Sequence, residues 1–114
     1  MEAQAREIKN YLKIDGKSPF EDWYYSLRDR KARQKIQLRL DRVKLGNLGD
    51  YRSVGAGVFE FKIDYGPGYR VYFGQLGTTI VLLLCGGDKS TQEQDIAKAK
   101  EYWLDYEKRE NTNQ

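Results

Sequence analysis

Alternation of apolar and polar residues is clearest between Gly57 and Leu76. Phe59, Phe61, Ile63 and Tyr65 alternate with Glu60, Lys62 and Asp64, and Tyr69, Val71 and Phe73 alternate with Arg70 and Tyr72. A period of two predicts two strands, each with one apolar face. Gly66-Pro67-Gly68 between them predicts a hairpin with a three-residue loop, which sets Tyr65 opposite Tyr69, Ile63 opposite Val71 and Phe61 opposite Phe73. On the other face Glu60 then falls near Gly74, Lys62 opposite Tyr72 and Asp64 opposite Arg70.

Upstream, Ile8, Leu12 and Ile14 lie at even spacing within residues 6–14 and predict a first strand ended by Asp15-Gly16. Ser18-Pro-Phe-Glu21 is a helix start, with Ser18 as cap, Pro19 at the first helical position and Glu21 completing a capping box. Phe20, Trp23, Tyr24 and Leu27 give that helix one apolar stripe. A second helix follows Asp29, with Ala32, Ile36, Leu40 and Val43 buried and Gly46 as its stop. The link between the two is short enough to require an antiparallel helical hairpin.

Tyr51 to Val54 reads as a short strand. Thr78 to Cys85 is apolar almost throughout, as in a strand covered on both faces. Gly86-Gly87-Asp88-Lys89 ends it, and Ser90-Thr-Gln-Glu93 repeats the capping-box signal. The last helix buries Ile96, Ala99, Trp103 and Tyr106, and residues 107–114 are expected to fray. The expected fold is α+β: N-terminal strand, helical hairpin, antiparallel meander and C-terminal helix, with the helices on one face of the sheet.

Length and composition add limits. The 114 residues suit a single domain spanning 1–114, with its core at about 6–106. No apolar run approaches a membrane span, and Met1 to Glu7 lacks the apolar core of a signal peptide, so a cytoplasmic, membrane-free protein is expected. Cys85 is the single cysteine and has no partner for an internal disulfide, which agrees with a reducing compartment. Net charge is +3, but Arg28 to Lys44 holds eight basic residues against Asp29 and Asp41. Such a stretch suits an anionic partner such as RNA, or an ordinary charged helix face.

The chain has no histidine, which removes Ser-His-Asp and Cys-His chemistry. Clustered zinc ligands and carboxylates spaced for magnesium are absent from the sequence, so neither a metal nor a cofactor is expected. Gly86 to Ser90 lacks the spacing of a phosphate loop, although it precedes a helix N-terminus. RNA cleavage by its own 2′-hydroxyl needs neither histidine nor metal. It needs proton transfer and cationic stabilisation of the phosphorane. Lys62, Arg70 and Lys89 are suppliers of charge and Glu60 a possible base. The competing reading is a cross-strand Asp64–Arg70 ion pair with Lys62 solvating the sheet.

Phe59-Glu-Phe-Lys-Ile-Asp-Tyr-Gly-Pro-Gly-Tyr-Arg-Val-Tyr-Phe73 and Ile80-Val-Leu-Leu-Leu-Cys-Gly-Gly-Asp-Lys-Ser-Thr-Gln-Glu-Gln-Asp-Ile-Ala-Lys-Ala-Lys100 resemble the RelE/ParE toxin superfamily. With Ser18 to Trp23 and Arg39 to Gly49, the resemblance extends over about residues 8–105 and is closest to the HigB-type, phage-derived addiction module killer branch. It implies the toxin of a type II toxin–antitoxin system, acting as a metal-independent mRNA endoribonuclease (mRNA interferase) on the ribosome. Arg70 matches the arginine at the scissile phosphate, Lys62 a basic residue of the preceding strand, and Lys89 the basic position after the last strand.

Glu60 lies where relatives differ, and the C-terminal tyrosine or histidine of several relatives has no clear match; Asp95 occupies that neighbourhood. Arg33, Lys35, Arg39, Arg42, Tyr72 and Asp95 are the residues expected to meet RNA or the ribosome. The implied partners are mRNA, the ribosome and a small antitoxin of helix-turn-helix type. A ParE-like gyrase inhibitor and a degenerate module that only binds antitoxin are the alternatives, since one fold serves several ends.

Overall fold

The computed structural model describes residues 4–112, in the order β1 (Glu7–Asn10), α1 (Pro19–Ser26), α2 (Arg30–Lys44), β2 (Tyr51–Gly55), β3 (Val58–Ile63), β4 (Tyr69–Leu76), β5 (Ile80–Asp88), a 3-10 turn (Lys89–Thr91) and α3 (Gln92–Thr112). The five strands form one sheet in the order β1-β5-β4-β3-β2. β1 runs parallel to β5, and the other neighbours are antiparallel. The fold is α+β, as the sequence pattern predicts.

The helices start where the capping residues require. Ser18 Oγ accepts the Glu21 amide at 3.1 Å, and Asp29 accepts the amides of Lys31 and Ala32. Glu21 does not close the expected box, because its carboxylate accepts from Asn10 Nδ2 at 2.6 Å and so ties α1 to β1. Ala32, Ile36, Leu40 and Val43 are buried along α2. Asp88, not Ser90, is the cap, and it caps the 3-10 turn that leads into α3, with Thr91 completing the box; α3 runs on to Thr112, past residue 107 where the sequence predicts fraying.

The sheet is covered on both faces, which corrects the expectation of helices on one face. Phe61, Ile63, Val71, Phe73, Val81 and Leu83 pack with α1 and α2. Alternate residues point the other way: Val58, Tyr72, Leu82, Leu84 and Cys85 pack with Ala99 and Trp103 of α3. The charged side of the hairpin is therefore roofed by α3 over most of its length. Gly86 and Gly74 make room for this arrangement, since a Cβ at either would overlap the ring of Trp23 on one face and Trp103 on the other.

Two further expectations change. β1 ends at Asn10, Tyr11 is the buried residue beyond it, and Leu12 and Ile14 face solvent. The hairpin register is shifted by two: Phe61 pairs with Val71, Glu60 with Tyr72 and Lys62 with Arg70. β3 stops at Ile63 and β4 starts at Tyr69. Tyr65 leaves the strand, accepts the Gly68 amide at 3.1 Å and sends its hydroxyl to Asp29 at 2.9 Å. A shift of two preserves which face each side chain takes. It changes which side chains meet.

Candidate functional site

The new register gathers the basic residues at the turn end of the sheet. Arg70 sits between Lys62 of β3 and Gly87 of β5. Its Nη1 donates to the Gly68 carbonyl at 2.8 Å. Gly68 has φ +80°, and a Cβ there would come within 3.3 Å of Arg70 Nη1 and 3.9 Å of Lys89 Cβ. Arg70 and Lys89 thus crowd one turn. Lys62 stands alongside, 56% exposed, its Nζ 3.6 Å from Asp64. The Asp64–Arg70 pair expected from the shorter loop is not formed, because Arg70 faces Lys62 and Asp64 pairs with that lysine.

Behind the turn lies a buried carboxylate. Glu60 is 4% exposed and accepts from Arg52 Nε at 2.9 Å and from Gln92 Nε2 at 3.0 Å. Its Oε2 also lies 3.8 Å from Arg70 Nε, which has no hydrogen-bond partner. Burial raises the Glu60 pKa, but the hydrogen bonds from Arg52 and Gln92 outweigh it and hold the carboxyl below the usual glutamate range. A carboxylate so stabilised is a poor proton acceptor. Glu60 is built as an anchor that fixes Arg70 and links β3 to the start of α3.

Asp95 has the opposite environment. It accepts from Thr91 Oγ1 at 2.5 Å, and it presses on Gly87, where a Cβ would overlap its carboxylate. Gly87 is the β5 partner of Arg70. Burial pushes the Asp95 pKa up, and the Thr91 hydrogen bond only partly opposes it. Glu60 and Asp95 are thus driven apart in pKa, a pattern that separates a proton-carrying group from an electrostatic one. Tyr72 lies between them with its hydroxyl buried, and burial, followed by the charge of Glu60, keeps it protonated.

The expected RNA-binding residues of α2 divide into two pairs. Arg33 donates to the Leu27 carbonyl at the end of α1. Arg39 donates to the carbonyls of Leu48 and Asp50 and lies over the Phe61 ring, 5.1 Å from its centroid. Both hold the fold. Lys35 and Arg42 are exposed beside Lys62. The helix N-terminus after β5 is already taken: Asp88 Oδ1 accepts the Ser90 amide at 2.8 Å.

Arg52 and Gln92 are absent from the sequence-based assignment. Arg52 becomes visible only once β2 pairs with β3, where it stands opposite Glu60, and Gln92 only once α3 folds over that strand. Among the described residues no three His, Cys, Asp or Glu side chains converge to hold a metal. No helix among them is long and apolar enough to cross a membrane.

No family model matches the chain. A protein of Haemophilus influenzae, described as an uncharacterized protein, is 49% identical over 81 residues, covering 71% of this chain and 82% of the relative. The chain belongs to the same family as this Haemophilus influenzae protein.

Proposed function

We propose that the protein is the toxin of a type II toxin–antitoxin pair, a metal-independent endoribonuclease that cuts mRNA on the ribosome in the cytoplasm. The observation that carries this reading is the cluster of Arg70, Lys62 and Lys89 around the Gly68 turn, with Asp95 against the strand position next to Arg70. Two exposed lysines beside the buried Arg70 match the charge that develops on a pentavalent phosphorus. Arginine adds forked hydrogen bonding to phosphate oxygens.

In this reading the Asp95 carboxylate takes the proton of the RNA 2′-hydroxyl, and the resulting oxygen attacks the adjacent phosphorus. Arg70, aimed by Glu60, stabilises the phosphorane together with Lys62. The bond to the 5′-oxygen breaks, and that oxygen takes a proton from the ammonium of Lys62 or Lys89. The products are a 2′,3′-cyclic phosphate and a 5′-hydroxyl. Glu60, first considered as base, acts through Arg70. The partner that silences the site is a small antitoxin of helix-turn-helix type, covering the basic edge with acidic and apolar residues.

Primer extension on mRNA from a translating extract, run beside a gyrase supercoiling assay, tests the reading. Cuts within the message with normal supercoiling are expected. Intact message with blocked supercoiling would make the protein a ParE-like gyrase inhibitor, and growth without arrest on expression would make it a module that only binds antitoxin.

A further inference from the structure

We propose that the cleft between α2 and the end of β3 holds the RNA strand flanking the scissile phosphate, with Lys62 joining the reaction centre at Arg70 to a phosphate track along Lys35 and Arg42. The proposal rests on the ribonuclease reading above and names where the substrate runs once it leaves that centre.

The cleft has a volume of about 250 Å³, and its walls include Lys35, Leu38, Arg39, Arg42, Lys62 and Asp64. The α2 residues fall at i, i+3, i+4 and i+7, a stripe beside the buried one formed by Ala32, Ile36, Leu40 and Val43. The opposite wall is the end of β3, where β2 no longer covers it: pairing of β2 stops at Tyr51 against Phe61. Lys62 therefore stands at an open edge. It is the strand partner of Arg70 and at the same time lines the α2 cleft.

Four cations line this space against one carboxylate, Asp64, whose ion pair is with Lys62. Arg39 contributes a fixed charge, because carbonyls and the Phe61 ring hold it. The side chains of Lys35 and Arg42 make no hydrogen bond or ion pair among the described residues. Between them Leu38 is 50% exposed and offers an apolar surface to a ribose or base. Cations spaced along a groove with an apolar contact between them suit a single strand, bound through its backbone and with little regard to sequence. An acidic peptide would meet the same cations. Continuity with Arg70 through Lys62 favours RNA.

The test uses the full chain with Arg70→Ala, chosen to suppress cleavage, with and without Lys35→Ala and Arg42→Ala. Anisotropy of a fluorescein-labelled single-stranded RNA oligonucleotide is followed across a salt series. Loss of two phosphate contacts is expected to make the slope of log affinity against log salt shallower by about 1.4, at about 0.7 per contact on a single strand. An unchanged slope and affinity would overturn the proposal. The two substituted side chains are exposed, and an unaltered melting curve checks the fold.

A second arm replaces Leu38 by p-benzoylphenylalanine in the Arg70→Ala protein on mRNA-programmed ribosomes. A cross-link to mRNA supports the track; one to ribosomal RNA or to protein alone overturns it. Cleavage by the unaltered protein tests the ribonuclease reading separately. Intact message together with a shallower slope in the cleft variant would retain RNA binding in the cleft and remove the chemistry.

Discussion

The Glu60 carboxylate lies 3.8 Å from Arg70 Nε, with the two side chains on neighbouring strands and only 4% and 8% exposed. Arg52 can turn to solvent if Glu60 is lost, since it is 60% exposed, but Arg70 cannot. Glu60→Ala is therefore expected to cost about 3 kcal/mol, the range for removing one member of a buried pair. Urea denaturation measures it. RNA cleavage should fall with it, because Arg70 loses the group that aims it.

The same carboxylate sets an acid limit on stability. Its folded pKa lies below the ordinary glutamate value, so its contribution is complete above that ordinary value and is lost as pH falls through the folded one. Thermal melts across the acid range should show this loss, and Glu60→Gln should flatten it. An equally steep acid limb in the variant would assign the effect to other carboxylates.

Asp95 should behave in the opposite way. Its folded pKa is raised, so ionisation works against the fold, and the effect grows as pH rises from below the ordinary aspartate value to above the folded one. Asp95→Asn is expected to leave stability at neutral pH equal or higher while lowering cleavage by about 10²-fold or more, the scale of a lost proton carrier. Paired melting and cleavage measurements separate this from a structural defect, which would lower both.

Gly74→Ala tests how α3 is seated over β4. The new methyl meets the Trp103 ring directly, so the helix must shift or the ring must turn. A loss of about 2 kcal/mol is expected for overpacking at such a contact. A changed Trp fluorescence maximum should accompany it, and an unchanged melting temperature would contradict the close approach.

Which parts of this arrangement the sequence discloses follows from how local each signal is. The cap at Ser18, the helix start after Asp29 and the stripe of Ala32, Ile36, Leu40 and Val43 are set by neighbours in the chain, and the structure contains them as read. The hairpin faces are also right, since Phe59, Phe61 and Phe73 keep their parity. Its register is not, because Gly66-Pro67-Gly68 fits a three-residue loop locally while Tyr65 is drawn out of the strand by Asp29, 36 residues away.

The second covered face was signalled by the unbroken apolar run of β5, but the charged residues of β3 and β4 pointed to solvent instead. They are accommodated because Glu60 finds Arg52 and Gln92 beneath α3. Those partners come from distant segments, and periodicity carries no trace of them. Chemistry and resemblance point to Arg70, Lys62 and Lys89; their meeting around Gly68 depends on a register that the local sequence pattern does not carry.

The proposed ribonuclease depends most on Arg70 at the reacting phosphate of an mRNA. Arg70→Ala suits the test because Glu60 keeps Arg52 and Gln92 as partners, so the variant should fold. Cleavage of mRNA on translating ribosomes should fall by about 10²-fold or more relative to the unaltered protein, while the melting curve stays cooperative. Cleavage at the unaltered rate by a folded Arg70→Ala protein would remove Arg70 from the reaction.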